Sequence, residues 1–312
     1  MNAPEISRIS SSNLTTQRFL EEYVALNRPV VVTGALGPWD VDNRWTPAAM
    51  DCLLGGHRVQ VYNNYFDLQT ITTLRQYLSR NFGKRAIRKD VVIPYVRWYT
   101  RLRDADLDFC WADHAFSKLQ SYWSLPEFLP NKDYLLPHMP RGIATTTPVT
   151  DPFPAKGLFI SPAGARTSLH VDPWGSCAIL CQLYGQKTWY MYAPDQAEYL
   201  SNERGVVDVT RPDERTFPEF KRAQLTAKCC LSPGEVIYVP HGWYHQVECA
   251  SDSISITWNF VHKATASSLL EWLAQGVISE FDESVLRFFH NLPASHPDVA
   301  GHVRALVNGA LQ

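Results

Sequence analysis

A histidine and an aspartate stand two residues apart in segment 167–172, TSLHVD. Side chains at positions i and i+2 of an extended strand point to the same face, so His170 and Asp172 would present an imidazole and a carboxylate together. Two histidines and one carboxylate form the ligand set of non-haem iron(II) oxygenases, which leaves the other coordination positions open. A closed structural zinc site would instead need four protein ligands. The pair therefore predicts part of an open metal site.

A third ligand must come from a distant part of the chain, and segment 233–245, PGEVIYVPHGWYH, offers two histidines. Pro-Gly predicts a turn, the apolar run after it predicts a strand, and residues 240–242 predict a second turn. His245 lies where the next strand begins, whereas His241 lies in the turn itself. From the residues alone, both histidines are candidates.

Lys187 lies between two apolar runs in segment 185–189, GQKTW. A lysine in such a setting is rarely buried without a partner. If the co-substrate of the metal site is 2-oxoglutarate, it would chelate iron through its keto-acid end and leave its distal carboxylate inside the protein, where a buried carboxylate must be paired. We therefore expect Lys187 to bind that carboxylate, with added hydrogen bonds from the hydroxyls of Thr167 and Thr257.

The elements that must position these residues are short apolar runs separated by turns, from Leu158 to Val261. Closely spaced runs of this kind predict a β-sandwich or barrel. The runs are 158–160, 178–183, 188–192, 236–239 and 254–260.

Helices and strands alternate in the first third of the chain. Threonines predict helix starts at 15–16, 46 and 70, and the last of these helices should reach about Asn81. Runs 30–32 and 58–62 predict strands. After Lys263 two apolar helical stripes, 269–281 and 285–289, would cover a barrel face or form a dimer seam. We expect an N-terminal α/β region (1–150), a double-stranded β-helix core (151–262) and C-terminal helices (263–312).

Four segments, taken in order, resemble the JmjC oxygenases, and most closely their small cupin-like hydroxylases. The segments are 170–176 (HVDPWGS), 185–189 (GQKTW), 239–245 (VPHGWYH) and 256–260 (ITWNF). Segment 28–35, RPVVVTGA, also resembles the opening of these proteins. The resemblance implies a mainly β fold with flanking helices, built on a double-stranded β-helix (a jelly-roll or cupin core).

The resemblance also implies a role for individual residues. It favours His245 over His241 as the third iron ligand, beside His170 and Asp172. The positions it assigns to 2-oxoglutarate or the nearby pocket are Lys187, Thr167, Thr257, Asn259 and Tyr95. One position departs from the pattern, because Leu180 stands where some relatives place an asparagine that faces the co-substrate. The pocket should therefore be less polar on that side.

The amino-acid composition argues against a nucleic-acid-binding, a secreted or a membrane-spanning protein. The chain has 312 residues, 45% of them apolar, so it can bury a large core. Its net charge of -2 gives no overall positive potential that would attract nucleic acid. The first 16 residues lack an apolar signal core, and no apolar run reaches the roughly 18 residues of a membrane span. Seven cysteines without a C-x-x-C pair predict reduced thiols and a cytoplasmic protein, with the nucleus as the second location.

The charge distribution is strongly uneven only at residues 75–103, which contain nine Lys or Arg and a single acidic residue, Asp90. This stretch predicts a solvated face or a basic rim that recruits an acidic substrate.

We expect an iron(II)- and 2-oxoglutarate-dependent dioxygenase that uses O2 to hydroxylate a C–H bond of a protein or peptide side chain. Alternatives with the same chemistry are a tRNA base bound through the 75–103 stretch and a small molecule. Alternatives of another class are a non-catalytic cupin-like binding module and a metal-dependent isomerase. A homodimer through the C-terminal helices is a further expectation.

Overall fold

The computed structural model describes residues 5–84, 92–100, 110–131 and 156–274. Two facing β-sheets dominate these ranges, and short helices flank them. The strands are β1 (Arg8–Ser10), β2 (Val30–Thr33), β3 (Arg58–Tyr62), β4 (Leu68–Thr73), β5 (Tyr95–Tyr99), β6 (Lys156–Ser161), β7 (Arg166–His170), β8 (Cys177–Tyr184), β9 (Lys187–Tyr192), β10 (Ser201–Asn202), β11 (Gly205–Val206), β12 (Ala227–Leu231), β13 (Val236–Val239), β14 (Tyr244–Cys249) and β15 (Ser253–Phe260).

The helices are α1 (Thr16–Phe19), α2 (Val41–Arg44), α3 (Pro47–Leu54), α4 (Leu74–Asn81), α5 (Asp113–Lys118), α6 (Ala197–Leu200) and α7 (Ala266–Ala274). A π-helical turn, Leu20–Val24, continues α1, and short 3-10 turns lie at Ser11–Asn13, Gly37–Trp39, Pro173–Gly175, Pro194–Gln196, Pro218–Arg222 and Lys263–Thr265.

The larger sheet has nine strands in the order β1-β2-β13-β8-β15-β6-β5-β3-β4, and the smaller has four in the order β12-β9-β14-β7. All pairings in the two sheets are antiparallel except β1 with β2. Core strands alternate between the two sheets from β6 to β9 and again from β12 to β15, as in a jelly roll. The predicted fold class, mainly β with flanking helices, is confirmed.

Strand β8 is apolar along nearly its whole length because both of its faces are covered. Cys177, Ile179 and Cys181 belong to the core between the larger sheet and the N-terminal helices. Ala178 and Leu180 belong to the core between the two sheets. A strand buried on both faces loses the polar alternation of a half-exposed strand. The space between the sheets is therefore the place where inward polar residues can form a pocket.

The third N-terminal helix begins later than the sequence predicts. Residues 68–73 form β4, which pairs with β3, and α4 starts at Leu74 with the Thr73 hydroxyl accepting a hydrogen bond from the amide of Gln76. The prediction that Thr70 caps this helix is wrong, because Thr70 is paired with Val61 in the hairpin. β-Branched residues pack well on a strand and override the local capping preference.

Strands of the N-terminal third extend the larger sheet at its edges. β2 pairs with β13, and β5 pairs with β6. The boundaries 1–150, 151–262 and 263–312 stay a prediction, and the second C-terminal stripe, 285–289, lies outside the described residues.

All seven cysteines are free thiols. Within the described ranges, no helix has the length and apolar character needed to cross a bilayer.

Candidate active site

The three predicted metal ligands meet at one end of the smaller sheet. His170 on β7 is directly opposite His245 on β14, and their ring centroids are 4.1 Å apart. The Oδ2 atom of Asp172 lies 3.9 Å from Nε2 of His245. One ligand atom from each residue lies within 4.8 Å of the others. This spacing allows all three side chains to reach one ion.

Asp172 reaches the site from just beyond the end of β7. Its backbone is extended, with φ -65° and ψ 142°, so it keeps the same-face relation to His170 that a strand would give. A 3-10 turn, Pro173–Gly175, follows, and the Ser268 hydroxyl of α7 donates a 2.7 Å hydrogen bond to the Gly175 carbonyl. A Cβ on Gly175 would lie 2.4 Å from the Ser268 carbonyl oxygen. Helix α7 therefore packs directly on the turn that holds Asp172.

Backbone carbonyls fix the tautomer of both histidines. Nδ1 of His170 lies 2.8 Å from the Ser168 oxygen, and Nδ1 of His245 lies 3.1 Å from the Trp243 oxygen. Because a carbonyl only accepts, Nδ1 carries the proton and Nε2 is left with a lone pair. Burial, with a further contribution from His245, lowers the pKa of His170 well below its usual value. The imidazole is therefore neutral, which is the form that binds a metal.

The side chains present fit an iron(II) ion. Oδ2 of Asp172 is buried and has no hydrogen-bond partner among the described residues. A buried carboxylate oxygen without a partner is costly unless a cation is bound to it. Two imidazoles and one carboxyl group on one side match the ferrous facial triad, and among the described residues no fourth ligand of a closed zinc site joins them. His241 is half-buried in the turn before β14 and is not part of this cluster.

All eight predicted site residues line a single pocket between the sheets. The eight are Tyr95, Thr167, His170, Asp172, Lys187, His245, Thr257 and Asn259. A bulge explains why Thr167 and His170 can both face the pocket although they are three residues apart. Thr167 is opposite Val247 and His170 is opposite His245, so β7 has one extra residue between these pairs.

Lys187 lies deep in this pocket and is only 4% exposed. Its Nζ donates a 2.6 Å hydrogen bond to the Ser255 hydroxyl and lies 5.6 Å from the centre of the Phe159 ring. Burial lowers the pKa of Lys187, and among the described residues no carboxylate pairs with it. A buried ammonium with this environment is prepared for an anionic ligand.

The remaining predicted residues already interact with the protein. Thr167 donates a 3.2 Å hydrogen bond to the Tyr95 hydroxyl. Thr257 donates to the backbone oxygen of Ile179 at 2.9 Å, and the Asn259 amide donates to the Ser176 hydroxyl at 3.2 Å. Leu180 also lines the pocket, so this side is apolar, as its departure from the family pattern predicts.

Arg97 is a charged pocket residue that its sequence context does not predict. It belongs by composition to the basic stretch 75–103, but it lines the pocket rather than a solvated face. The signal was present, since Tyr95 and Arg97 are two apart on β5 and must share a face. Of the nine basic residues in the stretch, Arg75, Arg80, Lys84 and Arg97 are described, and the other five lie outside the described residues.

Comparisons with known proteins agree with this geometry. A family model described as a cupin-like domain matches residues 16–266. The 2-oxoglutarate and iron-dependent oxygenase JMJD4 of Gallus gallus is 33% identical over 110 residues, which cover 34% of this chain and 26% of that protein.

Two plant relatives align over most of the chain. Lysine-specific demethylase JMJ21 of Arabidopsis thaliana is 27% identical over 265 residues, 80% of this chain and 25% of that protein. Arginine-specific demethylase JMJ20 of the same plant is 25% identical over 274 residues, 83% of this chain and 57% of that protein. The chain thus spans less than two thirds of the length of each of these relatives. Because the family model covers most of its residues, the chain belongs to the cupin-like domain family, as its JmjC-type motifs predict.

Proposed function

We propose that this protein is an iron(II)- and 2-oxoglutarate-dependent dioxygenase that hydroxylates an unactivated C–H bond of a protein or peptide side chain. The proposal rests on one observation. A cluster of two histidines and one aspartate shares its pocket with a buried lysine that has no anionic partner among the described residues. The cluster fits the metal, and the lysine fits the distal carboxylate of the co-substrate.

Each residue has a defined task in this proposal. His170, Asp172 and His245 would hold the ion through two Nε2 atoms and a carboxylate oxygen. Lys187 would pair with the distal carboxylate of 2-oxoglutarate, and the linked hydroxyls of Tyr95 and Thr167 would add hydrogen bonds. Thr257 and Asn259, which line the same pocket, would shape its wall.

When bound, iron(II) and 2-oxoglutarate supply an oxidant for the C–H bond. One O2 is consumed, one of its oxygen atoms enters the substrate as a hydroxyl, and the other enters succinate as carbon dioxide leaves. The protein contributes position and exclusion of water. Trp189 stacks on His245, with ring centroids 5.6 Å apart, and the apolar Leu180 covers a further side.

The names of the relatives support a protein substrate. Two of them are named as demethylases of lysine or arginine, and one is named as an oxygenase. Hydroxylation of an N-methyl group also begins with a C–H bond and ends in loss of formaldehyde, so demethylation is a second outcome of the same chemistry. Of the four described basic residues in the stretch 75–103, Arg75 is paired with Asp51 and Arg97 lines the pocket, so neither of these two supports RNA binding.

Turnover of 2-oxoglutarate without a primary substrate tests the proposal against a non-catalytic binding module. We expect the purified protein with iron(II), O2 and 2-oxoglutarate to form succinate slowly, and Asp172→Ala to form none above the iron blank. The matched control, Asp42→Ala, changes an exposed aspartate distant from Asp172 in the sequence and should keep the wild-type rate. Failure of the wild-type protein to form succinate at any iron concentration would favour the binding module.

A further inference from the structure

Arg97 is a cation inside the active-site pocket, enclosed by aromatic rings. It is opposite Phe159 in the β5–β6 pairing. Its guanidinium carbon lies near the centres of four rings: 4.1 Å from Phe66, 5.4 Å from Phe159, 5.6 Å from Tyr99 and 6.0 Å from Tyr62. The rings orient the guanidinium through cation–π attraction but provide few hydrogen-bond acceptors.

The hydrogen-bonding capacity of Arg97 is largely unused. A guanidinium has five N–H donors. Its Nε is buried without a partner, and among the described residues no carboxylate forms an ion pair with it. The nearby polar groups are tyrosine hydroxyls, chiefly that of Tyr99. A half-buried guanidinium whose Nε is shielded from solvent favours an anion that compensates the lost hydration.

The other positive charges in the pocket have anionic partners, either in the protein or in the loaded site. Arg166 also lines it, but Asp208 and Glu248 accept hydrogen bonds from its guanidinium at 2.9 and 2.7 Å. In the loaded site, the positive charges of iron(II) and Lys187 balance those of Asp172 and the two carboxylates of 2-oxoglutarate. Arg97 is then the remaining positive charge among the described pocket residues.

Arg97 is also close to the metal ligands. Phe66 lies between Arg97 and the metal ligand His170: the centre of its ring is 5.3 Å from the centre of the His170 ring and 4.1 Å from the Arg97 guanidinium carbon. Phe66 lies in the turn between β3 and β4 and has φ +69°, which is rare for a residue other than glycine. Asn64 in the same turn donates a 3.1 Å hydrogen bond to Ser168 of β7. The turn therefore fixes Phe66, and with it Arg97, beside the reacting centre.

We propose that Arg97 is a specificity-determining residue that binds a carboxylate of the primary substrate, from an acidic side chain or a free C-terminus. The planar guanidinium can hold a carboxylate through two parallel hydrogen bonds. A methylated lysine or arginine, the type of residue named for two relatives, would instead bring a second positive charge towards Arg97. The inference deepens the proposed function and rests on it.

Three small probes test this directly: N-acetyl-aspartate amide for an acidic side chain, N-acetyl-alanine for a free C-terminus, and N-acetyl-asparagine amide as the neutral isostere. Their affinities would be measured by ligand-observed NMR on the full chain loaded anaerobically with iron(II) and 2-oxoglutarate. We expect one carboxylate probe to bind about tenfold more tightly than the asparagine probe, and Arg97→Gln to remove this preference. Arg80→Gln, at an exposed arginine, is the matched control and should keep it.

The outcomes separate the two proposals. Equal affinity of all three probes, or a preference that survives in Arg97→Gln, would overturn the role of Arg97. A tenfold loss of 2-oxoglutarate affinity in Arg97→Gln with the probe preference intact would assign Arg97 to the co-substrate instead. If the wild-type protein binds no 2-oxoglutarate in the presence of iron(II), the proposed function fails as well. Should Arg97→Gln not fold, Arg97→Lys keeps the charge without the paired donors and should reduce the preference severalfold.

Discussion

His170 and His245 are directly opposed residues on two hydrogen-bonded strands, with ring centroids 4.1 Å apart. Their separation is therefore set by the β7–β14 ladder and not by a loop. Two imidazoles held on adjacent strands lose little freedom when a metal binds, because their backbone is already ordered. A bound metal would, in turn, connect these strands to the turn that holds Asp172.

Metal binding should stabilise the folded protein through this cross-strand pair. We expect a divalent metal at about 100 times its dissociation constant to raise the free energy of unfolding by about 2.7 kcal/mol. His245→Ala should lose most of this gain, whereas His241→Ala, which changes a histidine outside the cluster, should keep it. Thermal unfolding with and without metal measures both variants. Equal losses would assign a ligand role to His241.

Lys187→Met should have opposite effects on stability and on co-substrate binding. In the absence of 2-oxoglutarate the ammonium is buried without an anion, so its replacement by an apolar side chain of similar length should leave the free energy of unfolding unchanged or raise it. Affinity for 2-oxoglutarate should fall by about 100-fold, because a buried carboxylate loses its cation. Denaturant titration and equilibrium dialysis measure the two effects. A variant that is destabilised and still binds 2-oxoglutarate normally would contradict the role of Lys187.

A hydrogen-bonded network around Asp208 should contribute to stability in a pH-dependent way. Burial alone would raise the pKa of Asp208, but hydrogen bonds from Gln246 and Thr210 and the charge of Arg166 lower it below its ordinary value of 3.8. The contribution is therefore fully present above about pH 4 and is lost as the pH falls through the lower folded-state value. We expect the free energy of unfolding of Asp208→Asn to fall less steeply below pH 4 than that of the wild type.

Denaturant titrations between pH 3 and 7 check this slope. Asp42→Asn, at an exposed position, serves as the control and should follow the wild-type curve. An Asp208→Asn curve parallel to the wild type would show that the carboxylate does not contribute through its ionised form.

Gly185, just before β9, should not tolerate a side chain. It has φ +68°, and an added Cβ would lie 1.8 Å from the Asp252 carbonyl oxygen. Gly185→Ala should therefore destabilise the protein by about 3 kcal/mol or more. Gly234 also has a positive φ, +86°, but an added Cβ there meets no atom within 4 Å. Gly234→Ala should cost only about 1 kcal/mol from the backbone, so the difference between the two melting curves isolates the steric contact.

Much of the His170–Asp172–His245 cluster could be predicted because its signals are local. The H-x-D spacing fixes two ligands on one face, and Pro-Gly followed by an apolar run places His245 at the start of a strand. The choice of His245 over His241 required the family resemblance, since both histidines lie in the same turn region. The structure shows the physical difference: only His245 is in register with His170.

Other features depend on pairing between distant segments and have no local signal. The extra residue in β7 that turns Thr167 towards the pocket is visible only against β14. Thr70 carries a capping side chain, yet its pairing with Val61 makes it part of a strand. Arg97 belongs to a basic stretch by composition, but its place opposite Phe159 puts it in the pocket.

Anaerobic titration of the metal-free protein with iron(II), in the presence of 2-oxoglutarate, tests the central claim most directly. If His170, Asp172 and His245 hold the ion, the wild type should bind one iron and one 2-oxoglutarate per chain, and Asp172→Ala and His170→Ala should each weaken iron binding by about 100-fold or more. Iron affinity that is unchanged in both variants would contradict the account, because the ion would then be bound elsewhere.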